Sequence, residues 1–354
     1  MSKKQAFGLF INRMNNTHMP LSRRNFLKTG ALLSAALATG LSMVAGVAEA
    51  NEPVKRRGGF SVKPALNVYS FNTQLRAAAR AGSGLSMFDL LDFCADHGLD
   101  GIDATGYYFP NYPDAPPDSV IYDFKKRACE LGVSIVGTGT RNTFITPDKS
   151  LRADGVKHIK MWVEIASRLG APILRVFADD LTRNESWKVA VPNTPHSDVE
   201  AWVADALREC ADHGKAHGVI IGVQNHGDFN GTATEFLRLI KLVDSEWCAP
   251  TLDTGYFNTP DPYVDIAQVA PYAVNWTVKQ SVFDGGYGDA PIDLDRIMKI
   301  VRDSGYRGFL PIETLSAKGQ AKNPFKTVPA YLQRLRAAIA KAESLGPAQT
   351  QPAA

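Results

Sequence analysis

Short apolar runs that stop abruptly at polar residues alternate along this chain with longer stretches whose apolar residues recur at helical spacing. Ile220-Ile221-Gly222-Val223 breaks off at Gln224-Asn225-His226-Gly227-Asp228, and Pro250-Thr251-Leu252 at Asp253-Thr254-Gly255. The runs 273–280 and 308–314 end in the same way, at Lys279-Gln280 and Glu313-Thr314. An apolar run closed by polar residues is how a buried parallel strand reaches the mouth of an α/β barrel. Alternate side chains of a strand share a face, so Gln224 and His226 are expected on one side and Asn225 on the other.

Earlier segments repeat the unit. Strands are predicted at 65–71, 99–106, 133–138 and 172–177, and helices at 86–98, 119–131, 156–169 and 198–217. Helices at 232–244, 261–270 and 294–303 separate the later strands, and an amphipathic helix at 327–344 closes the series. Glycine ends several helices before the next strand begins, as at Gly98, Gly132, Gly170 and Gly218. Eight such units predict one closed (β/α)8 TIM barrel over residues 64–344, after a linker at 51–63 and before a disordered tail at 345–354. A doubly wound open sheet would need a glycine-rich phosphate turn after its first strand, and Ser70-Phe71-Asn72-Thr73-Gln74 is not one.

With 45% hydrophobic and 21% charged residues, a large core is expected. The net charge of +3 misleads, because residues 1–50 hold six Lys/Arg against one Glu and leave 33 basic and 35 acidic residues behind them. No electrostatic footprint for nucleic acid or an anionic membrane remains. Ser22-Arg23-Arg24-Asn25-Phe26-Leu27-Lys28, a modest apolar stretch and Ala48-Glu49-Ala50 resemble a twin-arginine signal peptide over 1–50, which implies export to the periplasm and no membrane contact once it is removed. No later stretch reaches the roughly 18 apolar residues of a membrane helix. Cys94, Cys129, Cys210 and Cys248 form no C-x-x-C pair and are expected as buried free thiols.

The strand ends bring Gln224, His226, Asp253, Lys279 and Glu313 to one rim, the candidate active site. Arg175 is unusual inside an apolar strand and is expected in the lumen, and Tyr107 and Trp276 are candidates to stack on a ligand. Each has a plainer reading. Glu313 pairs with Arg175 or Lys279 across a barrel, Asp253 caps a turn, His226 caps a loop by hydrogen bonds, and the aromatics pack. Asp284-Gly285-Gly286-Tyr287-Gly288 lies where barrels bind phosphate, but flexibility is its simpler reading.

The order of Phe88-x-Leu90-Leu91-x-Phe93-Cys94-Ala95-x-x-Gly98-x-x-Gly101-Ile102, Gln224-Asn225-His226-Gly227, Leu252-Asp253-Thr254-Gly255 and Ile312-Glu313 resembles the xylose isomerase-like barrels, the sugar phosphate isomerases and epimerases. The resemblance implies a divalent metal, Mn or Mg, at the barrel mouth, with Asp253 and Glu313 at two ligand positions. Gln224 stands where a Glu is expected and Thr277 where a His or Gln is, and His226 is the residue to complete the shell. It further implies proton abstraction next to a carbonyl. Glu313 is then the base, His226 the acid or second base, Lys279 or the metal the stabiliser of the oxyanion, and Gln224, Asn225, Arg175, Trp276 and Tyr107 contact substrate. The expected partner is a small non-phosphorylated carbohydrate, and barrels of this sort commonly form homodimers. The rivals are a lyase acting on keto-glycosides by the same first step, and a non-catalytic carbohydrate-binding protein of the periplasm.

Overall fold

A computed structural model describes residues 52–178, 186–288, 290–315 and 323–345. The signal sequence and nearly all of the C-terminal tail lie outside the described residues. Eight parallel strands close in the order β1 to β8: Ser61–Asn67, Gly101–Thr105, Ser134–Gly139, Ile173–Phe177, Ile220–Gln224, Cys248–Asp253, Asn275–Lys279 and Arg307–Glu313. This is the barrel that the alternation of apolar runs and helical stretches predicts.

Side chains alternate in and out along each strand. Leu174, Ile221, Leu252, Trp276 and Ile312 are fully buried on the outer face, in one continuous core with helix residues such as Leu90, Phe124, Trp162, Phe236 and Leu335. Several helices start where the sequence offers a cap: Ser86, Thr232 and Asp293 each accept a backbone N–H from the first turn. Burial of the outward apolar face carries the stability, which leaves the inward face free to be polar.

Several local expectations shift. β1 begins at Ser61, because residues 61–63 pair with Arg307–Phe309 of β8, and its second half is not strand: Val68–Phe71 is a 3-10 turn. The helix Asn72–Ala81 that follows was not foreseen; it buries only Leu75, so no apolar stripe announces it. β5 ends at Gln224 rather than running through His226, whose N–H turns back onto the Gln224 carbonyl at 2.9 Å. Cys94, Cys210 and Cys248 are buried free thiols, whereas Cys129 near the end of the helix Asp118–Glu130 is exposed. Among the described residues no helix is long and apolar enough to cross a membrane.

Candidate active site

At the C-terminal ends of the strands lies a cavity of about 170 Å³, lined by Tyr107, Arg175, Gln224, His226, Lys279 and Glu313 together with Asn67, Tyr69, Thr105, Arg141, Phe177, Tyr256, Tyr287 and Leu315. The strand register explains the convergence. Lys279 and Glu313 are direct neighbours across β7 and β8, Asp253 faces Thr277, and Gln224 faces Thr251. Because facing positions on one strand recur every two residues, Gln224, Asp253, Lys279 and Glu313 fall on one inward diagonal over four strands.

Lys279 is the hub. Its Nζ lies 2.5 Å from Glu313 Oε1 and 3.4 Å from Asp253 Oδ2, with the Tyr256 ring centroid 5.3 Å away. Asp253 is wholly buried: Oδ2 accepts from Gln224 Nε2 at 2.5 Å and Oδ1 from the Gly255 N–H at 2.9 Å. Burial pushes its carboxyl up to about 7 even though the Lys279 ammonium pulls the other way. Burial alone would also disfavour the ammonium, but the Asp253 and Glu313 carboxylates outweigh it and hold Lys279 protonated well above the usual lysine range. Across the cavity, Arg175 Nη2 donates to the Tyr107 hydroxyl at 2.6 Å and its guanidinium lies over the Phe177 ring. Gly139 makes room for it, since a Cβ there would sit 2.6 Å from the guanidinium. His226 packs on Tyr256 with ring centroids 3.9 Å apart. Burial first, then the charges of Lys279, Arg175 and Arg141, hold the imidazole well below its usual range and therefore neutral.

Three sequence candidates do not line the cavity: Asp253, buried behind Gln224 and Lys279, and two whose place differs from the expectation, Trp276 and Asn225. Trp276 alternates with Thr277 and Lys279, so it points outward, fully buried, with its ring 5.7 Å from that of Tyr306. Asn225 is likewise fully buried: its amide Nδ2 donates to the Asp253 carbonyl at 2.9 Å and its Oδ1 accepts the Asp253 N–H at 2.8 Å. It positions the strand carrying Asp253 instead of touching a ligand. Asn225→Ala is expected to cost roughly 1–3 kcal/mol for each backbone group left unpaired, read as a lower Tm.

Tyr256, Tyr69, Tyr287 and Arg141 line the cavity and were missed. Tyr256 directly follows Leu252-Asp253-Thr254-Gly255, which is the one signal in the sequence that points to it. The loop 284–288 is not open backbone awaiting phosphate. The amides of Gly285, Gly286, Tyr287 and Gly288 all bond to carbonyls of the chain, to Gly255, Phe283, Asp284 and Phe283. Gly285 and Gly286 serve close approach to Tyr256 and Lys279 respectively.

The side chains expected to hold a metal do not fit one as they are arranged. Both Asp253 oxygens already accept N–H groups, Gln224 turns its amide NH2 toward Asp253, and a lysine ammonium stands between the two carboxylates. A different group, Glu164, His213 and His217, brings its ligand atoms within 4.8 Å of one another, but on the outer helices Lys149–Leu169 and His196–His217.

Asp253 also leaves a mark on stability. Its carboxyl rises from an ordinary 3.8 to about 7 on folding, so between those values the folded chain keeps a proton that the unfolded chain releases. This contribution to stability is complete below the lower value and is lost as pH rises through the upper one. Asp253→Asn is expected to remove it: the Tm difference between variant and parent shifts in the variant's favour as pH is raised across this window. The opposing contribution of His226, complete above the usual imidazole range and lost as pH falls, is common to both proteins.

The closed parallel barrel with polar groups gathered at its C-terminal rim defines a TIM-barrel protein with an enzyme-like cavity. The family model of the xylose isomerase-like TIM barrel matches residues 91–338, and the chain belongs to that family. A twin-arginine translocation signal sequence matches residues 20–40. Among solved structures, D-psicose 3-epimerase from Clostridium cellulolyticum H10, crystallised with D-tagatose, aligns at 16% identity and TM-score 0.62 over 78% of this chain and 99% of its own. A 3-keto-D-glucoside 4-epimerase from E. coli aligns at 13% identity and TM-score 0.59 (80% and 99%). A probable 3-DHS dehydratase from Bacillus anthracis aligns at 16% identity and TM-score 0.57 (77% and 98%). No curated protein sequence matches the chain. At these identities the structural neighbours establish the fold.

Proposed function

We propose that this chain is a periplasmic sugar isomerase or epimerase that removes a proton from the carbon next to a carbonyl of a small non-phosphorylated sugar. The observation that carries the reading is the Glu313 carboxylate held 2.5 Å from the Lys279 ammonium in a cavity the size of one sugar ring. Glu313 takes the proton, the C–H electron pair becomes the double bond of an enediolate, and the negative oxygen is met by Lys279. Return of a proton, exchanged with solvent on Glu313, to the former carbonyl carbon gives isomerisation when the neighbouring hydroxyl passes its own proton to the former carbonyl oxygen. Delivery of a proton to the opposite face of the same carbon gives an epimer: His226 first takes a proton from water and passes it on, and Glu313 releases its own to water. Held neutral, His226 starts as a base or hydrogen-bond partner, which argues against an imidazolium acid in the resting site. Arg175 and Tyr107 bind sugar oxygens on the opposite wall, and Tyr69, Tyr256 and Tyr287 offer faces to the C–H patches of the ring.

The internally bonded loop 284–288 supports a substrate without phosphate. The twin-arginine signal supports export, and in the periplasm free sugars and glycosides are the ready supply. The test is to incubate the native exported chain with a panel of ketoses, aldoses and keto-glycosides and to separate products by chromatography. An isomer or epimer of the same mass is expected. A released aglycone would instead identify elimination after the same first step, and binding without any product would identify a carbohydrate-binding protein.

A further inference from the structure

We propose that the cation of this site is the ammonium of Lys279, built into the position that a divalent metal would take among Gln224, Asp253 and Glu313, so that the protein needs no metal ion. The proposed reaction determines what the charge is used for, but its placement stands on geometry alone. Four neighbouring strands deliver the groups, and Nζ lies 2.5 Å from one carboxylate and 3.4 Å from the other. Asp253, the one carboxylate hidden from the cavity, has both oxygens facing N–H donors. Gln224 contributes its NH2 to that carboxylate, so its carbonyl oxygen is not the atom at the shared centre.

The lysine is also held along its whole length. Its stem lies in a slot walled by Gly255 and Gly286, where an added Cβ would stand 3.1 Å from Cγ and 2.7 Å from Cδ respectively. The Lys279 N–H donates to Thr254 Oγ1 at 2.9 Å, and the Tyr331 hydroxyl donates to its carbonyl at 2.7 Å. A side chain that merely filled space would need none of this. A divalent ion among these carboxylates would have to sit against the buried Lys279 ammonium.

The test is a titration of the native exported chain with Mn²⁺, followed by the room-temperature EPR signal of the free ion, with no sugar present. The parent protein is expected to leave that signal at full amplitude. Lys279→Ala, which frees the two carboxylates, is expected to remove one equivalent. His217→Ala in both backgrounds separates any uptake by the Glu164–His213–His217 group on the exterior. Uptake of one equivalent by the parent, abolished by Asp253→Asn, would overturn the proposal. So would a folded Lys279→Ala protein that takes up none, since the ammonium would then not stand at a cation position. If Lys279→Ala does not fold, the parent titration decides alone. Because the readout involves no turnover, failure here and failure of the proposed reaction are separate results.

Discussion

Glu313→Gln is expected to lower kcat by about 10²–10⁴-fold, the usual contribution of a positioned general base, with little change in KM or Tm. Glutamine has the same shape and keeps an oxygen for the Lys279 ammonium, which retains Asp253 as its charged partner. The strand end itself is fixed elsewhere, since the Thr314 N–H donates to Ser70 Oγ at 3.0 Å. The basic lone pair and its charge are lost, while the shape and the contact with Lys279 stay. Steady-state kinetics with a melting curve checks this, and an unimpaired variant would move the base to another residue.

Lys279→Met is expected to lower kcat by about 10²–10³-fold, as removal of a group aimed at a developing oxyanion does. Methionine fits the glycine slot, so the change isolates the charge. It also leaves two buried carboxylates without their cation, a change that costs about 3–5 kcal/mol when nothing else compensates. Asp253, already pushed up to about 7, can relieve part of this by keeping its proton. The variant is therefore expected to be least destabilised at mildly acidic pH and increasingly so above neutrality. Urea unfolding across pH checks the slope; a stability loss that does not depend on pH would separate Lys279 from the carboxylates.

What the sequence revealed and what it concealed divide along physical lines. β5 to β8 were legible because a strand buried on both faces is a run of apolar residues, and a polar residue at its end stands out. The diagonal of Gln224, Asp253, Lys279 and Glu313 follows from that period of two, and the same period already places Trp276 outside. Asn225 is opposite to Gln224 by the same rule, and its work is to clamp the Asp253 backbone from both sides. The Lys279–Glu313 ion pair was legible only as one of two pairings open to Glu313, the other being Arg175, and not as the arrangement itself. Lys279 and Glu313 are 34 residues apart, and only the closure of β8 onto β7 makes them neighbours. Nor was the role of Gly286, whose value lies in the lysine stem beside it. Tyr69, Tyr287 and Arg141 sit beyond strand ends, in turns whose course depends on the closed barrel.

Proton NMR in D₂O, with the sugar that the chromatographic panel identifies, tests most directly whether this cavity ionises a carbon next to a carbonyl. The predicted result is that one C–H signal beside the carbonyl disappears with catalytic protein, remains with Glu313→Gln, and is retained when no protein is added. Conversion of the sugar with every C–H signal intact and no solvent deuterium in the product would contradict proton abstraction by Glu313.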